Sequence, residues 1–279
     1  MRPSTASDPS PRTIVIGDVR IAYVDEGTGP CVLAVHGLPG SLRDFRWLAP
    51  ALGDRARLVR LDLPGFGASS GDPPRTWSAI ADVVCDFAEQ VIAAPYVVLG
   101  HSFGAPLATM VADRSTSRAR AVAGGIAWLA PVGLRPHKMV RGPLTLGRIR
   151  AVAKLARTRV IGPAVVLGWR ALLRGGGFPS STTPADVART LDVLSAFDFA
   201  MHRDALARAR VPAFAAWTLD DPFVEPPIVA ELCKASGDGP RLGFPTGGHN
   251  LQKTQAIEIA DALADFAAAC TRGAAREAT

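Results

Sequence analysis

Short apolar runs alternate with segments of helical periodicity along most of the chain. Mainly apolar runs of strand length occur at residues 31–35, 96–99, 122–129 and 211–217, and residues 58–62 form a further strand pattern that contains Arg60 and ends at Asp62. Runs of this kind are typical of strands that are buried on both faces of a parallel sheet. Between two of them, apolar residues recur at helical spacing from Trp77 to Ile92. The alternation predicts an α/β fold with a mostly parallel central sheet flanked by helices.

The chain on either side of the first apolar run predicts two further elements. Residues 13–24 contain two short strand patterns around Gly17-Asp18, which predicts an antiparallel hairpin at the edge of the sheet. After Ser41, the spacing of Phe45, Leu48 and Leu52 predicts a single helix that ends at Gly53. The hairpin and this helix add an antiparallel edge and a covering layer to the predicted sheet.

The alternation of strand and helix patterns stops between residues 131 and 210. This stretch has a mainly helical pattern with glycine-rich and Ser/Thr-rich interruptions, so it predicts a helical cap that is inserted after the sixth strand. The α/β core is then predicted at 13–130 and 211–272. Residues 1–12 are polar and rich in proline, and we interpret them as a flexible leader, with 273–279 as a tail.

The net charge of +6 on 279 residues belongs to one segment of the chain. Residues 131–185 contain ten Lys or Arg and no Asp or Glu, whereas the remainder is mildly acidic. Three interpretations stay open: a solvated basic helix over an apolar pocket, a site for an anionic substrate group, or reversible contact with anionic lipid. Nucleic-acid binding is not expected, because the segment has few aromatic residues and no known reader motif.

Cysteine spacing and hydropathy bear on the cellular compartment. The four cysteines lie far apart without a C-x-x-C motif, which favours reduced, buried thiols over a metal or redox site. No apolar run is long enough to span a bilayer, and the N-terminal residues do not resemble a secretory signal. We therefore expect a cytoplasmic protein that needs no metal and no cofactor, while its oligomeric state is left open.

The candidate nucleophile is Ser102. The motif Gly100-x-Ser102-x-Gly104 follows an apolar strand directly and precedes a helical segment, as in a nucleophile elbow. The same pattern occurs at residues 67–71 around Ser69, but there neither a strand precedes it nor a helix follows it. The strand–turn–helix setting therefore favours Ser102 as a functional serine.

A serine hydroxyl becomes a good nucleophile only when a base removes its proton and an acid orients that base. Two adjacent acids, Asp220 and Asp221, follow the late strand, and successive side chains leave an extended backbone in opposite directions. Only one of them can easily face the base, and this argument does not select between them. His249 lies in a glycine loop between a strand and the last helix.

Taken together, the motifs resemble those of the α/β-hydrolase superfamily. The resemblance rests on residues 36–41 as an oxyanion loop, 62–69 as a glycine-rich loop, 100–104 as the elbow and Gly248-His249 as the histidine loop. In that family the order is serine, acid, histidine, which implies a Ser102–Asp221–His249 triad. It also implies that the backbone N–H groups of Leu38 and Phe103 form the oxyanion hole.

The remaining histidines are expected to have structural roles. His36 and His101 flank the proposed chemistry and are predicted to pack or hydrogen-bond locally. His137 and His202 fall in the predicted cap, where we expect them among ordinary surface residues.

Serine at the elbow narrows the reaction that the resemblance implies. Similar proteins that open epoxides or remove halides carry aspartate at this position, so serine favours hydrolysis of a small, largely apolar carboxylic ester or thioester through an acyl-enzyme. The expected partners are this acyl substrate and water. The motifs leave open a perhydrolase or haloperoxidase-like enzyme, a lactonase or a carbon–carbon bond hydrolase. A non-catalytic small-molecule receptor is the alternative of a different class.

Overall fold

A computed structural model describes residues 8–141, 145–175 and 182–277. Within these ranges, nine strands form one sheet. The strands are β1 (Arg12–Ile16), β2 (Val19–Glu26), β3 (Cys31–Val35), β4 (Arg57–Leu61), β5 (Ser70–Gly71), β6 (Tyr96–His101), β7 (Ala123–Leu129), β8 (Ala213–Thr218) and β9 (Arg241–Phe244). Their order across the sheet is β1-β2-β4-β3-β6-β7-β8-β9, and β5 pairs with β2.

The predicted mostly parallel sheet is confirmed. Strands β3, β4, β6, β7, β8 and β9 are parallel to their neighbours in this set. The antiparallel pairs all involve β2, and the predicted hairpin is the β1–β2 pair, with Ile16 opposite Val19. Because the six parallel strands point the same way, their carboxyl ends meet at one edge of the sheet, where loops from distant parts of the chain come together.

Helices cover both faces of the sheet. They are α1 (Leu48–Leu52), α2 (Trp77–Val91), α3 (Gly104–Ser115), α4 (Leu146–Ala156), α5 (Gly162–Gly175), α6 (Pro184–Ser195), α7 (Phe199–Ala209), α8 (Pro226–Ala235), α9 (Leu251–Thr254) and α10 (Ala256–Glu277). Along β3, Leu33 and Val35 belong to the core under α2 and α3, whereas Val32 and Ala34 belong to the core under α1 and α10. The strand is therefore buried on both faces, as its uniform apolar sequence predicts.

The single helix predicted after Ser41 is wrong. The structure has a short 3-10 segment at Leu42–Phe45 and a separate helix α1. Pro50 explains the break, since in a continuous helix its ring would collide with the carbonyl of Arg46 four residues earlier. Restarting the helix at Leu48 places the proline in the first turn, where its missing N–H costs nothing.

Helices α4 to α7 occupy the stretch predicted as a cap, and 131–210 stays our proposal for its limits. The two-residue strand β5, which the sequence did not predict, makes the insertion follow the seventh strand in chain order. Residues 142–144 and 176–181 of the cap, together with 1–7 and 278–279, lie outside the described residues. The last helix continues to Glu277, well past residue 272, where the core was predicted to end.

The described part of the predicted leader is bound to the core. The Asp8 carboxylate accepts a hydrogen bond of 2.5 Å from the guanidinium of Arg60, whose side chain is only 1% exposed in β4. Glu26 accepts from the same guanidinium at 2.7 Å and 3.0 Å. A buried cation requires such partners, because an unpaired charge in the interior is strongly unfavourable. The remainder of the predicted leader, residues 1–7, lies outside the described residues.

The turn between β6 and α3 is possible only because two glycines let backbone segments approach closely. A Cβ atom on Gly100 would lie 2.3 Å from the carbonyl oxygen of Gly104. A Cβ atom on Gly104 would lie 2.4 Å from the carbonyl oxygen of Val35 and 2.8 Å from that of His36. Real side chains do not tolerate such distances to backbone atoms, so both positions require glycine.

We expect Gly104→Ala to lower the free energy of unfolding by about 1–3 kcal/mol, because the added methyl group must displace the end of β3. Gly168→Ala is the matched control, since its Cβ in α5 would meet nothing within 4 Å. That change should be neutral or stabilise the protein by up to about 1 kcal/mol through helix propensity. Equilibrium denaturant unfolding measures both variants, and equal effects would contradict the close approach.

Candidate active site

Ser102 lies at the sharpest point of the turn between β6 and α3. Its φ angle of +54° is in the left-handed region, which non-glycine residues rarely adopt. Its N–H donates to the carbonyl of Leu129 at 3.0 Å, and its own carbonyl accepts from the N–H groups of Ala105 at 3.0 Å and Val132 at 3.2 Å. These bonds hold the strained conformation, and the side chain stays half-buried at the sheet edge.

The structure brings His249 and Asp221 together. Nδ1 of His249 lies 2.8 Å from Oδ2 of Asp221, and the carboxylate is almost completely buried. Oδ1 of the same carboxylate accepts from the backbone N–H groups of Phe223 at 2.7 Å and Val224 at 3.1 Å. An ionised carboxylate only accepts, so the Nδ1 atom carries the proton, and Nε2 is left with its lone pair available as a base.

The environment of Asp221 favours its ionised form. Burial opposes the charge, but the hydrogen bond from His249, the attraction to His249 and the two backbone N–H groups outweigh it. The pKa of Asp221 is therefore held below its ordinary value. A carboxylate in this state keeps one tautomer of His249 and stabilises the imidazolium that forms when Nε2 takes a proton.

Asp220 points to a different part of the same loop. Its exposed carboxylate accepts from the backbone N–H of Gly248 at 2.8 Å and of Gly247 at 3.1 Å. These bonds, first that of Gly248, lower the pKa of Asp220. The two adjacent carboxylates thus have different partners. Asp221 accepts a hydrogen bond from the imidazole of His249, and Asp220 accepts hydrogen bonds from the backbone of the loop that carries His249. The predicted turn role of Asp220 agrees with this geometry.

His249 lies beside the elbow that carries Ser102. Nε2 of His101, the residue before the serine, donates to the carbonyl oxygen of His249 at 2.9 Å, and the two ring centroids are 4.9 Å apart. The ring of Phe223 lies edge-on to His249 at 5.0 Å. Burial, and next the neighbouring His249, lower the pKa of His101 to about 3, so His101 is neutral near pH 7. His101 therefore acts as a structural link between the two loops.

Leu38 and Phe103 lie together, as the resemblance implies. Their side chains are buried and line the same apolar cavity, whose volume is about 10 Å³, enough for about one water molecule. Within the described part of the chain, neither backbone N–H donates a hydrogen bond to another residue. Two unpaired backbone donors beside a serine are suited to hold a negatively charged oxygen. Their role as an oxyanion hole stays a prediction.

His36 fixes the loop that contains Leu38. Its Nε2 accepts from the N–H of Leu63 at 3.0 Å, so the proton lies on Nδ1, which donates to the carbonyl of Gly37 at 2.7 Å. The first loop is thereby bonded to the glycine-rich loop after β4. Asp62 joins the same two loops, because its carboxylate accepts from the N–H groups of Leu42 at 2.7 Å and Ala68 at 2.8 Å.

The prediction that His137 and His202 are surface residues is wrong. Both are buried, at 1% and 0% exposure. Nδ1 of His137 donates to the carbonyl of Phe223 at 3.0 Å, and its ring packs edge-on against Phe103 at 5.8 Å. Burial lowers the pKa of each histidine to about 4. His137 thus connects the start of the cap to the Asp221 loop and to the residue after Ser102.

One sequence signal pointed to His137. It follows the end of β7 by only eight residues, and β7 is the neighbour of β6, so its loop leaves the edge of the sheet that carries Ser102. The following residue reinforces the connection, since Nζ of Lys138 donates to the carbonyl of Asp221 at 2.9 Å. The burial of His137 was not predicted from the sequence, because the neighbouring residues are basic and charged residues usually lie on an exposed surface.

The second Gly-x-Ser-x-Gly pattern serves the fold instead. The Oγ of Ser69 donates to the carbonyl of Asp62 at 2.8 Å and accepts from the N–H of Ala22 at 2.9 Å. The hydroxyl of Ser69 therefore both donates and accepts a hydrogen bond within the fold and is not free to act as a nucleophile. The short strand β5 follows it, and no helix begins there. Its setting accounts for the difference between Ser69 and Ser102.

The described residues also bear on metal binding and on insertion into a membrane. No cluster of three or more His, Cys, Asp or Glu side chains there has the arrangement of a metal site. Over the same ranges, no helix combines the length and apolarity that crossing a membrane requires.

Comparison with known proteins gives one family. Residues 32–262 match the model of the "Alpha/beta hydrolase family". Haloalkane dehalogenase 2 of Mycobacterium tuberculosis is 36% identical over 116 residues, which cover 40% of either chain. Bifunctional epoxide hydrolase 2 of Sus scrofa is 32% identical over 130 residues, 43% of this chain and 23% of that protein. The chain thus aligns with less than half of each of these relatives.

A solved structure shows the same fold over nearly the full length. A thermophilic esterase from Thermogutta terrifontis superposes with a TM-score of 0.73 at 21% identity, covering 94% of this chain and 100% of that one. At this level of identity, the likeness concerns the fold alone.

The two adjacent aspartates give a direct test of the geometry. We expect Asp221→Asn to slow the covalent labelling of Ser102 by a fluorophosphonate about 10³–10⁴-fold, because an amide no longer holds the His249 tautomer that accepts a proton. Asp220→Asn retains an acceptor for the loop N–H groups and should slow labelling less than about tenfold. Labelling rates are followed by mass spectrometry of the intact protein. Equal effects of the two changes would contradict the division of roles.

Proposed function

The chain belongs to the alpha/beta hydrolase family, and from this premise we propose that it is a serine hydrolase acting on a small, largely apolar carboxylic ester or thioester. One observation carries the proposal: Ser102 occupies a strained left-handed turn, and the residue before it, His101, contacts His249, whose Nδ1 is bonded to a buried carboxylate. Binding alone needs no such arrangement, whereas acyl transfer requires it.

The proposed reaction uses the residues in fixed roles. Nε2 of His249 removes the hydroxyl proton of Ser102 as Oγ attacks the carbonyl carbon, and the Leu38 and Phe103 N–H groups stabilise the negative oxygen of the tetrahedral intermediate. His249 then gives the proton to the departing alcohol or thiol, which leaves an acyl group on Ser102. Water, deprotonated by His249, attacks this ester, and the carboxylic acid is released as Ser102 regains its proton.

The identity of the nucleophile separates this chain from two of its relatives. The names of those relatives describe a haloalkane dehalogenase and an epoxide hydrolase, and the family resemblance implies an aspartate at the elbow of enzymes of these two kinds. An aspartate attacks a saturated carbon and forms an ester that water later cleaves. A serine activated by His249 is suited to attack an acyl carbon instead, which supports ester or thioester hydrolysis for this chain.

The surroundings of Ser102 support an apolar acyl group. The cavity beside Leu38 and Phe103 is lined by apolar side chains: Leu63, Phe66, Trp77, Ile80, Leu107 and Val193 complete its wall. Apolar linings of this kind favour hydrocarbon portions of a ligand and leave recognition of the carbonyl to a few donors. Because the cavity has room for only about one water molecule, an acyl group enters it only by displacing side chains of the wall, and a short acyl group displaces fewer of them.

A chemical test distinguishes a hydrolase from a receptor built on the same fold. We expect wild type to react with a fluorophosphonate at Ser102 and to hydrolyse p-nitrophenyl esters, with a preference for short chains. Ser102→Ala should abolish labelling and lower kcat at least about 10⁴-fold, because no other group forms the acyl-enzyme. Mass spectrometry locates the label, and release of p-nitrophenol gives the rates.

Ser69→Ala is the matched control, since Ser69 lies in the same five-residue pattern. It should keep the label on Ser102, although losing two buried hydrogen bonds lowers the unfolding midpoint. Labelling that persists in Ser102→Ala would refute the proposal. A folded wild type that neither labels nor hydrolyses any ester of the series would favour a receptor.

A further inference from the structure

The helical hairpin of α4 and α5 has an unusual outer surface. Among the described residues, eight large hydrophobic side chains are exposed, and five of them lie between residues 155 and 172. We call these five the apolar cap face: Leu155, Val160, Ile161, Leu167 and Leu172. Concentrations of exposed apolar residues mark interaction surfaces, whereas isolated ones are normal.

Helix α5 is apolar on both of its sides. Its inner side packs Val166 and Leu173 into the main core, with Trp169 partly buried against it. Its solvent side is apolar up to its last turn, where the exposed Arg174 adds a positive charge; the exposed apolar or small residues are Pro163, Ala164, Leu167, Gly168, Ala171 and Leu172. A surface helix is expected to face water with polar residues, so a second apolar side indicates that another medium contacts it.

The turn between α4 and α5 forms the tip of this surface. Val160 is 88% exposed there, more than any other of the exposed large hydrophobic residues. Next to it, Arg159 has no hydrogen-bonding or acidic partner among the described residues, and the same is true of Lys154 at the end of α4. An apolar tip flanked by unpaired cations is suited to a boundary between hydrocarbon and anionic groups.

The charge of the surroundings selects the partner. Residues 145–175 contain seven Lys or Arg and no acidic residue. Of these, Arg157 is paired with Asp192 across the cap, while Arg150 donates to backbone carbonyls. A second copy of the chain that docked through the same surface would bring two basic segments together, and their repulsion opposes a symmetric dimer. An anionic membrane attracts both the cations and the apolar side chains.

We propose that the apolar cap face docks reversibly on a membrane surface that carries anionic lipid headgroups. The turn around Val160 and the solvent side of α5 enter the boundary of the acyl chains, and Lys154 and Arg159 contact the headgroups. The protein is held in the plane of the interface, and no segment crosses it. This inference is independent of the proposed ester hydrolysis, because docking requires neither Ser102 nor turnover.

Vesicle sedimentation of the full-length protein tests the proposal. We expect wild type to bind vesicles of mixed phosphatidylcholine and phosphatidylglycerol far better than vesicles of phosphatidylcholine alone, and added salt should weaken the binding. Lys154→Gln with Arg159→Gln should weaken it about 25-fold, at about fivefold for each cation. Serine at positions 160, 167 and 172 should weaken it at least about tenfold.

The control variant carries Val15→Ser and Ile257→Ser, which remove exposed hydrophobic residues outside the apolar cap face. It should bind anionic vesicles as wild type does, and all variants should keep the unfolding midpoint because the positions are exposed. The proposal is overturned if wild type does not bind anionic vesicles, or if the variant with serine at positions 160, 167 and 172 binds them as well as wild type does. A wild-type dimer that the serine changes dissociate, without vesicle binding, would assign the surface to a second copy. Ser102→Ala should bind normally, so failure of the hydrolytic proposal leaves this test unaffected.

Discussion

The close passage of the β6–α3 turn across the end of β3 is the constraint on which the site depends. With hydrogen at Gly100 and Gly104, backbone can touch backbone, and Ser102 is forced into a left-handed conformation at the edge of the sheet. The hydrogen bonds of Ser102 with Leu129, the last residue of β7, and with Val132 then link the turn to the start of the predicted cap. The neighbouring loops are positioned against this turn, so the geometry of this edge of the sheet depends on glycine at positions 100 and 104.

A chain of histidines and carboxylates fastens the loops around the turn. His36 bonds the loop of Leu38 to the glycine-rich loop, His101 bonds the elbow to the His249 loop, and His137 bonds the cap to the Asp221 loop. Burial lowers the pKa of His101 and His137 far below neutral pH, so these links stay uncharged while the environment of Asp221 keeps its carboxylate ionised. These three imidazoles thus link the loops that carry Leu38, Ser102, Asp221 and His249.

The sequence predicts the features that depend on local pattern. Uniform apolar runs predict the buried parallel strands, and the strand–glycine–helix setting distinguishes Ser102 from Ser69. Features that depend on distant partners were missed. Asp8 binds Arg60 across fifty-two positions, and the burial of His137 depends on packing against Phe103. The selection of Asp221 over Asp220 came from family resemblance, because adjacent side chains on one loop carry no spacing information about a histidine further along the chain.

The wall of the cavity beside Leu38 is assembled from two sources. Most of it comes from the sheet loops and α2, but Val193 comes from α6 of the predicted cap, and Trp77 donates its indole N–H to the carbonyl of that same residue. Under the proposed reaction, substitutions on α6 change the shape of the cavity, and hence which acyl groups it accepts, without changing the residues that transfer the proton. One part of the cavity wall is therefore encoded in a stretch of sequence separate from the proposed triad, and descendants of this chain can acquire new preferences while Ser102, Asp221 and His249 stay unchanged.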